Sequence, residues 1–97
     1  MPYRLSEPAE NDIRRIYVEG ALRFGAGQAD AYFDRLMDTF ELIEANPLIA
    51  RERTEIAPSI RVHPVGTHVI VYEIIDAEVR ILRIRHSRED WRSAPAG

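Results

Sequence analysis

Four arginines lie within residues 79–88, a stretch without any acidic residue, and His86 and Trp91 stand beside them. A guanidinium group presents several N–H donors in one plane and forms paired hydrogen bonds with carboxylates and phosphates. Arginine and tryptophan also supply much of the binding energy at protein interfaces. This segment is therefore typical of a surface that binds an anionic group of another macromolecule, either an acidic protein groove or phosphate.

A structural interpretation of the same residues stays open. Flanking acidic residues, among them Glu78, Glu89 and Asp90, could neutralise the arginines. Strand arginines often pack their stems over a sheet and leave only the heads in water. Trp91 could equally fold back as an apolar lid on the sheet, and His86 could cap the end of a strand.

The composition of the chain narrows the classes of function. Its 97 residues suit one domain, expected to span 1–97 with a flexible tail at 93–97. The chain has no cysteine, which excludes thiol catalysis, and all 13 basic residues are arginine, which removes any amine base. No cofactor motif or metal site is expected. No apolar run is long enough to span a membrane, so we expect a cytoplasmic protein.

Charge is unevenly distributed along the chain. Residues 1–55 carry eleven acids against seven arginines, giving −4, whereas residues 56–97 carry five acids against six arginines, giving +1. Nucleic acid binding depends on neutralising many phosphates. Sequence-specific binding of nucleic acid is therefore not expected of a chain whose net charge is −3.

Two helices are predicted in the first half. Ser6 is a suitable N-cap, Gly25 is placed to end the first helix, and Asn46-Pro47 ends the second, because the residue before proline avoids helical backbone angles. The connection is short, so the helices should be antiparallel neighbours. Their apolar surface predicts a groove for an amphipathic partner segment. The residues expected to line it are Ile13, Ile16, Tyr17, Phe33, Leu36 and Phe40.

The remaining segments predict strands. A short strand at 3–6 precedes the helices, and a polar loop at 47–58 follows them. Turns at Gly66-Thr67 and Asp76-Ala77 then separate three consecutive strands. The order β-α-α-β-β-β predicts an α+β fold, in which a helical hairpin packs on a small sheet that is mostly antiparallel.

The last strand should be covered on both faces. Val79 and Ile81 are expected to point to one face, and Leu82 and Ile84 to the other. After the strand, one short helical turn is expected over residues 86–91.

Taken in order, the motifs resemble the ParE toxins of the RelE/ParE superfamily of type II toxin–antitoxin systems. The matching pieces are short, and their order and spacing from about residue 3 to 91 carry the resemblance. They are Tyr3-Arg4-Leu5-Ser6, Arg23-Phe24-Gly25 with Gln28-Ala29, Asn46-Pro47, Arg61 with His63-Pro64-Val65-Gly66, His68-Val69-Ile70-Val71-Tyr72, and Ile81-Leu82-Arg83-Ile84-Arg85-His86 through Trp91.

The resemblance implies a toxin that inhibits DNA gyrase by protein–protein contact and has no active site of its own. It also implies a hetero-oligomer with a ParD-like antitoxin, whose flexible C-terminal segment wraps the toxin. We expect Arg83, His86, Arg88 and Trp91 to face the target. The predicted groove between the helices would then face the antitoxin.

RelE-like relatives imply an alternative, a ribosome-dependent endoribonuclease that cleaves mRNA. Such cleavage needs an acid, a base and cations on the phosphate, roles that Arg61, Arg83 and His86 would share. That pattern is incomplete here, because the chain has no lysine and only Ser87 offers a hydroxyl between His86 and Trp91. A third alternative is a relative that has lost toxicity and remains a structural partner in the complex.

Overall fold

The computed structural model describes residues 3–56 and 59–97, so the last two residues of the expected 47–58 loop lie outside the described part. The strands form one mixed sheet in the order β1-β5-β4-β3-β2, with β1 and β5 parallel and the other described pairs antiparallel. The predicted α+β architecture is confirmed, and a short strand within the polar loop is an addition. The elements are β1 (Arg4–Leu5), α1 (Glu7–Phe24), α2 (Ala26–Ala45), β2 (Glu52–Arg53), β3 (Ile60–Val65), β4 (His68–Ile75) and β5 (Glu78–His86).

Two residues set the limits of α1. The Ser6 hydroxyl accepts a hydrogen bond from the Ala9 N–H at 3.1 Å and donates to the Leu82 carbonyl at 2.7 Å, so the N-cap also fastens the helix to β5. Gly25 has a φ of 91°, a conformation that glycine adopts without steric cost. That single residue reverses the chain between the helices. As predicted, α2 ends with Asn46 as its C-cap.

The helical hairpin covers one face of the sheet and builds the larger core there, with Leu36, Phe40, Tyr72 and Ile81 among its buried members. Alternate residues of β3 and β4 point away from the helices and form a smaller cluster. Trp91 is only 3% exposed and belongs to this smaller cluster. Trp91 therefore packs on the sheet as an apolar lid, one of the two positions considered from the sequence. It is not an exposed residue that could anchor a binding partner.

A bulge in β5 decides which residues reach the helix side. Val71 pairs with Arg83 and Tyr72 pairs with Ile81, which leaves Leu82 as an extra residue in β5. Ile81 and Ile84 consequently lie in the same cluster beneath the helices. The expectation that they point to opposite faces was wrong, because one extra residue reverses the alternation. The same reversal brings His86 to the helix side.

Hydrogen-bonded turns replace the expected helical turn after β5. The Glu89 N–H donates to the His86 carbonyl at 3.1 Å, and the Glu89 carboxylate accepts from the His86 N–H at 2.8 Å. Arg85 also binds Glu89, at 2.9 Å, and donates to the Ala94 carbonyl at 2.7 Å. These contacts fix the geometry of the turn and place the 93–97 tail against β5.

The turn between β4 and β5 contains two residues with positive φ angles, and substitution of one of them tests this backbone conformation. Asp76 and Ala77 have φ values of 52° and 64°, as a two-residue hairpin turn of the primed type requires. This conformation strains alanine, so Ala77→Gly should raise the free energy of unfolding by about 0.5–1 kcal/mol. Ala31→Gly, on the exposed side of α2, should lower it by a similar amount. Urea unfolding midpoints check both signs, and a loss of stability in both variants would contradict the assignment.

Candidate functional site

A cavity of about 350 Å³ opens between the two helices and the turn that joins β3 to β4; we call it the hairpin cleft. Five of the six groove residues predicted from the sequence line it. The hairpin cleft is lined by Ile13, Ile16, Tyr17, Gly20, Phe24, Gln28, Ala29, Tyr32, Phe33 and Leu36 of the helices and by the rim residues Glu19, Arg23, Thr67, His68 and His86.

The sixth predicted groove residue, Phe40, is placed differently. It is fully buried, and its ring centroid lies 5.3 Å from that of Tyr3. Its position one turn beyond Leu36 puts it over the sheet, where the core covers it. Phe40 is therefore a core residue and not part of the surface that a partner could contact, so its predicted place in the groove was wrong.

Contacts between the helices hold the walls of the cleft in place. The Tyr17 hydroxyl donates to the Asp30 carboxylate at 2.5 Å, and the rings of Tyr17 and Phe33 meet edge to face at 6.3 Å. A Cβ added at Gly20 would lie 3.7 Å from the Ala29 Cβ, so small residues leave room between the helices. The apolar walls reach solvent, since 38% of Phe33 is exposed.

A tyrosine and two histidines close the end of the cleft near the sheet. The Tyr32 hydroxyl donates to the Val65 carbonyl at 3.1 Å and lies 2.6 Å from Nδ1 of His68. The rings of His68 and His86 are 5.4 Å apart. A Cβ at Gly66 would lie 2.6 Å from the Tyr32 ring, so this close approach requires glycine. Tyr32 was not predicted as a site residue, although the polar tip of a tyrosine within an apolar helix stripe was an available signal.

Acid stability should depend on His68. Burial lowers the pKa of His68 below its ordinary value of 6.5, and the nearby His86 and Arg15 lower that pKa further. Below pH 6.5 the unfolded chain therefore binds a proton before the folded chain does, and the free energy of unfolding falls as the pH drops. His68→Gln should remove this part of the slope, because glutamine can bond Tyr32 without titrating. Equal slopes in both proteins between neutral pH and the pKa of His68 would contradict this.

A buried carboxylate fastens α1 to β5 beside the cleft. Asp12 is 1% exposed and accepts from Nε and Nη2 of Arg83 at 2.6 and 3.0 Å and from the Ile84 N–H at 3.0 Å. The short strand β1 pairs with β5 only at Arg80 and Ile81. Asp12 thus caps the stretch of β5 that β1 leaves uncovered, and its hydrogen bond raises the pKa of Arg83.

This ion pair corrects the expected role of Arg83. Its side chain is 16% exposed and committed to Asp12, so it is not part of a target-facing surface. Arg85 pairs with Glu89 at 2.9 Å and Arg80 with Glu78 at 3.5 Å. The positive segment seen in the sequence is therefore largely neutralised, as its structural interpretation allowed.

Two of the four predicted target-facing residues remain on the surface. His86 and Arg88 are exposed, and within 3–56 and 59–97 no acidic partner of Arg88 lies at ion-pair distance. The Arg88 N–H donates to Nδ1 of His86 at 3.1 Å, which fixes the two residues relative to each other. Trp91 packs instead in the smaller cluster, with the guanidinium group of Arg92 4.4 Å from its ring centroid.

The residues of the nuclease alternative do not come together. Arg61 pairs with Tyr72 and donates to the Ala50 carbonyl at 2.6 Å, whereas His86 pairs with His68. Those two partners, Tyr72 and His68, are four positions apart in β4, a distance of about 13 Å along the strand. Arg61 and His86 therefore cannot act on one phosphate group in this conformation.

The described residues contain no group of three or more His, Cys, Asp or Glu side chains that could hold a metal ion. Neither of the described helices is long and apolar enough to cross a lipid bilayer.

A solved structure shares the architecture of this chain. The chain superposes with a TM-score of 0.77 on a structure described as the chromosomal ParDE TA system from P. aeruginosa, covering 89% of this chain and 95% of that one. At 17% identity this likeness concerns the fold alone.

Sequence comparison identifies the family. Residues 3–91 match the family described as ParE toxin of type II toxin–antitoxin system, parDE. Toxin ParE1 of Caulobacter vibrioides is 30% identical over 92 residues, which cover 95% of each chain. Toxin ParE3 of the same organism is 26% identical over 83 residues, which cover 86% of this chain and 83% of the relative. The chain belongs to the ParE toxin family, as its ordered motifs indicated.

Proposed function

We propose that this protein inhibits DNA gyrase through protein–protein contact and that a ParD-like antitoxin neutralises it by binding in the hairpin cleft. The two proteins would form a hetero-oligomer in the cytoplasm. Membership of the ParE family supports the pairing with an antitoxin. The observation that carries the binding site is the cleft itself, an apolar cavity of about 350 Å³ that both helices build and leave open to solvent.

An apolar surface of this kind fits a partner segment. Phe24, at the end of α1, is 65% exposed, and Phe33 continues the apolar surface across α2. Exposed apolar patches on small soluble domains usually mark binding surfaces. An amphipathic helix that places its apolar side chains in such a groove is a common solution.

Inhibition by contact fits the geometry better than RNA cleavage. Arg61 and His86 lie at opposite ends of the paired strands, and Arg83 is held by Asp12. The proposed target surface is the turn that presents His86 and Arg88. His86 also lies on the rim of the hairpin cleft, so an antitoxin bound there would cover part of the target surface.

Expression of the chain without its antitoxin tests the proposal. We expect growth arrest with accumulating double-strand DNA breaks and intact mRNA. Arg88→Ala should reduce toxicity, whereas Arg35→Ala, an exposed arginine on α2 outside the cleft, should not. Mapped mRNA cuts with intact DNA would instead favour the endoribonuclease. Unimpaired growth would favour the structural-partner alternative.

A further inference from the structure

We infer that the hairpin cleft recognises an antitoxin helix in which a large apolar side chain is accompanied, about one helical turn away, by a carboxylate that Arg23 binds at the rim. The inference rests on the proposed function, since it specifies the chemistry of the partner segment. It is carried by the arrangement of charges and donors around an apolar cavity.

Arg23 is the cation of the cleft that is free to bind. It lies in the last turn of α1 and lines the cavity. Within 3–56 and 59–97 no acidic group lies at ion-pair distance from it, in contrast to Arg15, which is 3.3 Å from Asp12 and 3.9 Å from Glu19. Glu19 is the single acidic residue among the cleft-lining residues, and Arg15 opposes its charge.

His86 is a second polar residue of the same rim. Its Nδ1 accepts the Arg88 N–H at 3.1 Å, which leaves Nε2 as the ring nitrogen for any further partner. Nδ1 of His68, the next ring, is already engaged with Tyr32. The rim thus carries a guanidinium group, and its one acidic residue, Glu19, is opposed by Arg15; this arrangement binds a carboxylate and disfavours an ammonium group.

The apolar surroundings favour a peptide segment over a small ligand. The cavity has room for a large side chain, and the exposed rings of Phe24 and Phe33 carry its apolar lining out to solvent. A helix seated on that surface would bury these residues as well. In a helix, side chains three or four positions apart lie side by side, which places an acid beside the apolar anchor.

The test uses displayed helical peptides randomised along one face and selected on the purified full-length chain. We expect enriched peptides to carry an aromatic residue or leucine with Asp or Glu three or four positions away. In the best peptide, replacing that acid by its amide should weaken binding about three- to tenfold, as for a partly exposed charge-assisted pair.

Matched toxin variants assign the effect to the rim. Arg23→Gln should abolish the preference for the acid over its amide, while Arg35→Gln, outside the cleft, should keep it; circular dichroism checks that both variants are folded. Enrichment without an acid, enrichment of basic residues, or no enrichment would each overturn the inference. The growth phenotype of the chain expressed alone tests the proposed function without any peptide. A failure of the inference about the peptide can therefore be distinguished from a failure of the proposed function.

Discussion

Asp12→Ala is expected to lower the free energy of unfolding by about 3–5 kcal/mol, a large share of the stability of a domain this small. The carboxylate accepts two hydrogen bonds from Arg83 and one from the Ile84 N–H, and it is almost completely buried. Its removal would leave a mostly buried guanidinium group and a buried backbone donor without their acceptor. Urea unfolding followed by circular dichroism measures the loss.

Two further variants separate this effect from a general sensitivity of α1. Glu10→Ala removes an exposed acid of the same helix, only 3.9 Å from Arg14, and should change stability by no more than about 0.5 kcal/mol. Adding Arg83→Leu to Asp12→Ala should recover part of the loss, because the unpaired charge is then gone. If Asp12→Ala were as stable as Glu10→Ala, Asp12 would not be the link between α1 and β5.

Phe33→Asp is expected to weaken antitoxin binding about a hundredfold or more, as for the loss of an interface hot spot. Phe33 lines the cleft but is 38% exposed, so the substitution should leave the fold intact. The new carboxylate would have to lose its hydration against an apolar partner surface. Titration of the toxin variant with its antitoxin measures the affinity, and growth on coexpression shows whether neutralisation is lost.

Leu48→Asp is the matched control for that experiment. Leu48 is 72% exposed and lies outside the residues that line the cleft. The Leu48→Asp variant should therefore bind the antitoxin as tightly as the unmodified chain does. If Leu48→Asp weakened binding as strongly as Phe33→Asp, the antitoxin would not recognise the hairpin cleft in particular.

Local chemistry made the helices and turns predictable. Ser6, Gly25 and Asn46 mark helix ends because capping depends on neighbouring backbone groups alone, and the structure places the ends at these residues. The helical periodicity of the apolar residues also identified five of the residues that line the hairpin cleft. It could not separate Phe40 from Phe33, because helical spacing does not reveal which turns of α2 overhang the end of the sheet.

The contacts that the sequence did not reveal are long-range. Asp12 and Arg83 are separated by 71 positions, and no local pattern joins them. A signal did exist, because Asp12 lies between Ala9, Ile13 and Ile16 on the buried side of α1, where an acid requires a partner. The bulge at Leu82 left no comparable sign, so neither the position of Ile84 nor that of His86 could be read from alternation.

The most direct measurement is a supercoiling assay with purified DNA gyrase, relaxed plasmid and ATP, to which the purified chain is added with and without its antitoxin. We predict that the chain alone stops supercoiling and that an equimolar amount of antitoxin restores it. Gyrase that works normally at every concentration of the chain, together with mRNA cut on translating ribosomes, would contradict a toxin that acts by contact.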